Sequence, residues 1–108
     1  MNNVDEFVYR VFKEPEFYRF KKYKFFEGNK LDKDSGFIHL STNDQINGTI
    51  QKYFCDEKNV IIVEFFIFDL ENYILWEEGR GKHIFPHYYG KLKFQWVRNY
   101  YEKLFYEL

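Results

Sequence analysis

Gly36-Phe37-Ile38-His39-Leu40-Ser41-Thr42 sets a histidine and two hydroxyls inside an otherwise apolar stretch. In a strand, successive side chains face opposite sides of the sheet. Ile38 and Leu40 then share one face, which reads as core. Phe37, His39 and Ser41 share the other, which reads as the wall of a cleft. A second stretch, Phe85-Pro86-His87-Tyr88-Tyr89-Gly90, has the same character. Alternation in both predicts that His39 and His87 open onto one cavity with Ser41 and Tyr89.

The remaining elements follow from periodicity and breakers. Phe7 to Phe12 alternates and reads as the first strand. Glu14-Pro15-Glu16 starts a helix, with proline at the first helical position and acids in the first turn. That helix runs to about Tyr23 with Phe17 and Phe20 inward. Glu27 to Ser35 is polar, contains Gly28 and reads as a loop. Thr42-Asn43-Asp44-Gln45 is a capping box. The helix after it carries Ile46, Ile50, Tyr53 and Phe54 on one face. Val60 to Phe68 is apolar on both alternating sets, as expected of a central strand covered on both sides. Asp69 to Asn72 is a turn, Tyr73 to Glu78 a strand and Gly79 to Lys82 a mobile loop. Pro86 disfavours helix at Phe85, so His83 to Tyr89 is extended. Val97, Tyr101, Leu104, Phe105 and Leu108 lie at helical spacing and predict a terminal helix. The order predicts one α+β domain over residues 1–108, with a mixed, split, antiparallel-rich sheet and flanking helices.

Composition narrows the function classes. The chain has 108 residues, 45% hydrophobic and 31% charged, and a net charge of −1. No broad basic field is available for nucleic acid, so the Lys21-Lys22-Tyr23-Lys24 run reads as a solvated helix end. Cys55 is the one cysteine, which precludes an internal disulfide and favours a reducing compartment. Asn2, Asn3, Asp5 and Glu6 give no basic start to a signal peptide. The Val60 to Phe68 stretch is too short to span a bilayer. A cytoplasmic protein with no membrane partner is the expectation. The chain has no alanine and is rich in residues with A/T-heavy codons. Its 24% aromatic content therefore carries little weight as base-stacking surface.

Each chemical candidate has a structural competitor. His39 is a cleft residue or a core histidine with a backbone partner. Thr42 and Gln45 are ligand contacts or merely a helix cap. The helix start beyond them offers unpaired N–H groups to an anion. Glu77 and Glu78 are neighbours on a strand and face opposite sides, so they are not an acid–base pair. Glu64, inside the central strand, is either paired or cleft-facing. His83 and His87 are four apart, but Pro86 opposes the helix that a metal pair needs. No metal spacing such as CxxC or HExxH is present. Cys55 beside Asp56 is not activated as a nucleophile. Gly79-Arg80-Gly81-Lys82 lacks the phosphate-loop pattern, although Arg80 or Lys82 is placed to swing over a bound phosphate.

GFIHLST, then Gln45, Thr49 and Phe54, then Trp76-Glu77, then FPHYYG with Leu92 resembles the domain of unknown function 952 family. The resemblance runs from about Val8 to about Val97. It implies an ADP-ribosyltransferase-like fold, whose members include toxins that transfer ADP-ribose from NAD and enzymes that use NAD to remove an RNA 2′-phosphate. On that resemblance His39 binds the nicotinamide-side ribose or amide, and Glu77 binds a ribose hydroxyl and stabilises an oxocarbenium-like centre. Phe37, Ser41, Thr42, Gln45, His87 and Tyr89 are the implied ligand contacts. The implied ligand is a small nucleotide, NAD or ADP-ribose, with no cofactor required. The chain lacks a clear Arg-Ser-Glu or His-Tyr-Glu set, so a non-catalytic binding or protein-interaction module on the same fold is the alternative.

Overall fold

The computed structural model describes residues 6–104. In chain order it contains β1 (Phe7–Phe12), α1 (Glu14–Tyr23), β2 (Phe25–Phe26), α2 (Lys30–Ser35), β3 (Ile38–His39), α3 (Ile46–Tyr53), β4 (Asn59–Phe66), α4 (Ile67–Leu70), β5 (Ile74–Glu78), β6 (Ile84–Tyr88), β7 (Leu92–Lys93) and β8 (Val97–Leu104). Two three-stranded sheets, β1-β4-β8 and β3-β6-β5, are accompanied by a two-stranded ribbon, β2-β7. The sheet is split, as expected. It is not mixed: all of these strand pairs are antiparallel. No helix among the described residues is long and apolar enough to cross a membrane.

β4 is the centre of the larger sheet, and its two residue sets bury on opposite sides. Ile61, Val63 and Phe65 join one core cluster, with Phe17 and Phe20 of α1. Val60 and Ile62 join another, with Ile46 and Ile50 of α3. Phe17 and Phe20 are almost wholly removed from water, worth about 1.5–3 kcal/mol each. Glu64 interrupts the apolar run but is paired: its carboxylate accepts from the Tyr9 hydroxyl at 2.9 Å and from Arg98 at 2.6 Å. Burial and the Glu64 contact push the Tyr9 phenol up to about 12.

Four expectations are corrected. The terminal helix is the strand β8, with Val97, Tyr101 and Leu104 in it; Phe105 and Leu108, like Asn2, Asn3 and Asp5, lie outside the described residues. β4 has a second hydrogen-bonding edge to satisfy, and β8 pairs along it from Asn59 to Phe65. Backbone pairing and the strand-forming Val97, Tyr100 and Tyr101 outweigh the helical spacing. The polar segment before the GFIHLST motif is not all loop, because residues 30–35 form α2. Asn29 caps this helix, accepting from the Asp32 N–H at 3.0 Å, while the Asp32 carboxylate accepts from the Asn29 N–H at 2.8 Å. The strand from Val60 stops at Phe66, and Ile67 and Phe68 turn into α4. Gly79 to Lys82, expected as a mobile loop, is a turn with defined hydrogen bonds, Gly79 N–H to His83 O at 2.8 Å and Lys82 N–H to Gly79 O at 3.0 Å.

Gly36 opens the motif because it ends α2. It is left-handed, with φ 90°, and its N–H donates to Asp32 O. A Cβ there would meet nothing within 4 Å, so only the backbone conformation demands glycine. Gly36→Ala is expected to cost roughly 1 kcal/mol, read as a lower urea midpoint at unchanged slope.

Candidate active site

The motif strand is short. Only Ile38–His39 pairs with β6, placing Ile38 opposite Tyr88 and His39 opposite His87. Leu40 N–H then donates to the carbonyl of Pro86 at 3.1 Å. Ser41 crosses to the other sheet, exchanging both backbone hydrogen bonds with Tyr9 at 2.8 Å. The two three-stranded sheets therefore meet at Ser41. Alternation sorts the side chains as the sequence predicts: Ile38 and Leu40 are core, while Phe37, His39 and Ser41 line a cavity of about 410 Å³. His87 lines the same cavity, and its ring centroid is 5.9 Å from that of His39. Cavities of this size hold small-molecule ligands.

Each histidine is held by a carboxylate. His39 Nδ1 lies 2.8 Å from Asp32 Oδ1, and the His39 N–H donates to the same oxygen at 3.0 Å. Arg10, buried with Asp32, donates to it from Nη1 at 2.9 Å and to the His39 carbonyl at 3.1 Å. Burial opposes charge on Asp32, but the bonds from His39 and the Arg10 guanidinium outweigh it and hold the carboxyl well below its ordinary range. His87 Nδ1 lies 2.7 Å from Glu77 Oε1, which also accepts from the Tyr89 hydroxyl at 2.6 Å. The Tyr89 and His87 bonds lower the Glu77 carboxyl below its ordinary value, and the Glu77 bond raises the Tyr89 phenol. An ionised carboxylate only accepts, so each imidazole donates from Nδ1. Nε2 is the ring nitrogen that the carboxylate does not hold.

Phe37 covers His87, its ring stacked at a centroid distance of 3.8 Å and an interplanar angle of 20°. It also approaches His39 at 4.6 Å and Tyr89 at 5.5 Å. Ser41 is buried and shares a 2.9 Å hydrogen bond with Thr49 of α3. The cluster His39, His87, Phe37 and Ser41 is thus brought together; Tyr89, expected on the same cavity, is not among its lining residues and bonds to Glu77 behind His87. Glu77 stands beside the cavity behind His87, whereas Glu78, its strand neighbour, and Asp32 are the carboxylates among the lining residues.

Thr42 and Gln45 are placed differently. The Thr42 N–H donates to the Gln45 side chain at 3.0 Å, and Gln45 Nε2 donates to Ile84 O at 2.8 Å. They clamp the start of α3 to β6, and neither is among the lining residues. The first turn there is a 3₁₀ turn in which Gln45 N–H already donates to Thr42 O. The helix start does not line this cavity; α3 presents its side, at Thr49 and Tyr53. His83 and His87 share no helix, since Pro86 lies within β6.

Sequence reasoning missed Arg10 and Asp32, and it named Arg80 only as a residue placed to swing over a bound phosphate. Asp32 had a readable signal, an asparagine cap three residues before it and a terminating glycine four residues after. Arg10 had one too, a cation inside an apolar strand, on the same phase as the buried Val8 and Phe12. Their meeting across 22 residues had none.

No curated protein sequence matches this chain. Its architecture is similar to protein CC0527 from Caulobacter crescentus. In the crystal structure of that protein the identity is 30%, the TM-score is 0.83, and 89% of this chain and 84% of that chain are covered. In its solution NMR structure the TM-score is 0.78, again at 30% identity over 89% of this chain and 83% of that one. The family model described as Protein of unknown function (DUF952) matches residues 11–100, the span that carries both histidines, both carboxylates and the motif strands. The chain belongs to that family.

Proposed function

We propose that the cavity binds a nucleotide of the NAD or ADP-ribose type and that its histidines act on the ligand's ribose. The observation that carries this reading is the convergence of two carboxylate-held imidazoles on one cavity of about 410 Å³. A carboxylate on Nδ1 fixes the ring and tautomer of a histidine that works through Nε2. The resemblance to ADP-ribosyltransferase-like proteins selects the ligand class. In a hydrolytic reaction, water attacks the ribose C1′ as the N-glycosidic bond breaks. An imidazole Nε2 takes the water's proton, and nicotinamide leaves with the bonding electrons. His39 is the candidate catalytic residue that faces the ribose, and Glu77 acts as a positioning residue through His87 and Tyr89.

A second reading is a binding module without turnover. It is favoured by the commitment of Glu77 Oε1 to two neighbours, which leaves that oxygen engaged rather than facing an oxocarbenium-like centre. Calorimetric titration with ADP-ribose and NAD tests the binding reading: saturable heat at sub-millimolar ligand is expected, and none at millimolar ligand contradicts it. Release of nicotinamide from NAD at a rate above the uncatalysed one separates the enzyme from the module.

A further inference from the structure

We infer that Arg80 is the anion-binding residue of this cavity and takes the diphosphate of its ligand. Its identification with a nucleotide diphosphate rests on the reading above; the anion contact itself does not. Arg80 sits in the turn after β5, and its side chain folds back into the cavity wall. Its guanidinium lies 4.8 Å from the centroid of the Phe85 ring, and Nη1 reaches within 3.5 Å of Thr49 Oγ1. No carboxylate among the described residues lies within ion-pair distance of it. Arg10, the other arginine of the cavity, is committed to Asp32. Arg80 is thus a planar donor array, stacked on an aromatic face and lacking a carboxylate partner, in the wall of the cavity that the two histidines also line. That is the geometry in which arginine recognises phosphate oxygens.

Gly48 makes room for it. A Cβ at Gly48 would lie 3.1 Å from Arg80 Nη2 and 3.8 Å from Cζ. Gly48 is inside α3, where glycine is less favourable than alanine by about 1 kcal/mol. The helix carries an unfavourable residue at a position where a methyl group would push the guanidinium.

Inorganic pyrophosphate is the probe, titrated into wild-type protein, Arg80→Lys and Gly48→Ala and followed by calorimetry and by the Arg80 Nε–Hε resonance. The expected result is saturable binding that shifts this resonance and weakens about 10- to 100-fold in Arg80→Lys. Gly48→Ala should raise the unfolding temperature while weakening pyrophosphate binding, a combination that a purely structural role for the glycine would not give. Equal affinities in wild type and Arg80→Lys, or shifts confined to the amides of residues 42–46, would overturn the assignment. Gly48→Ala with unchanged affinity would remove the steric part of it. Pyrophosphate binding at Arg80 without any binding of ADP-ribose would sink the nucleotide reading and leave Arg80 standing. ADP-ribose binding indifferent to Arg80→Lys would do the reverse.

Discussion

Asp32→Ala is expected to destabilise the protein by about 3–5 kcal/mol, the usual consequence of removing one partner of a buried ion pair. Asp32 and Arg10 are 2% and 4% exposed, so the guanidinium left behind is largely shielded from bulk water. Asp32 Oδ1 accepts from Arg10 and from both the backbone and the ring of His39, and Oδ2 accepts from the Asn29 N–H. Its loss therefore uncaps α2 and frees the imidazole together. Chemical unfolding in urea checks the magnitude. A cost under 1 kcal/mol would mean that the pair is solvated.

The same carboxylate gives the stability a direction with pH. Its folded-state pKa is depressed below the ordinary aspartate value of 3.8. Between the two values the unfolded chain binds the extra proton and the folded chain does not. Stability from Asp32 is therefore complete above about pH 5 and is lost as pH falls below 3.8 toward the depressed folded value. In Asp32→Asn this acid-side loss should shrink, seen as a flatter dependence of the urea midpoint on pH between about 5 and 2.5. An unchanged profile would assign acid sensitivity to other carboxylates.

His39→Ala should separate binding from folding. The ring is 30% exposed and contributes one hydrogen bond to an oxygen that keeps its other donors. The expected stability cost is about 1 kcal/mol, against about 2–5 kcal/mol for truncating its fully buried neighbour in Leu40→Ala. Affinity for ADP-ribose should fall roughly 10- to 150-fold, as for the loss of a hydrogen bond with a charged partner. If His39→Ala unfolds as readily as Leu40→Ala, the imidazole is a core residue.

What the sequence disclosed is what alternation controls. Period-two patterning is local and absolute once one face is buried, so Ile38 and Leu40 fell to the core and His39 and His87 to one cavity. The central position of β4 was equally readable, because both of its faces are apolar. What stayed hidden depends on partners distant in sequence. β8 is a strand because β4 offers it an edge, a demand that no residue of Val97–Leu104 states. Asp32 matters because the chain returns it to Arg10; Arg80 was named as a phosphate candidate, but its contacts with Phe85 and Gly48 were not readable. Thr42 and Gln45 were visible as a capping pair. Only the reach of Gln45 to Ile84, 39 residues away, shows that their polar groups serve the junction of α3 with β6.

The most direct test of the shared site is a nitrogen-15 imidazole spectrum of His39 and His87 recorded during titration with ADP-ribose. Both Nε2 resonances should move together along one saturable curve while the Nδ1 resonances, held by Asp32 and Glu77, move little. Movement of neither Nε2 at millimolar ligand, or of His83 alone, would contradict the assignment of this cavity as the ligand site.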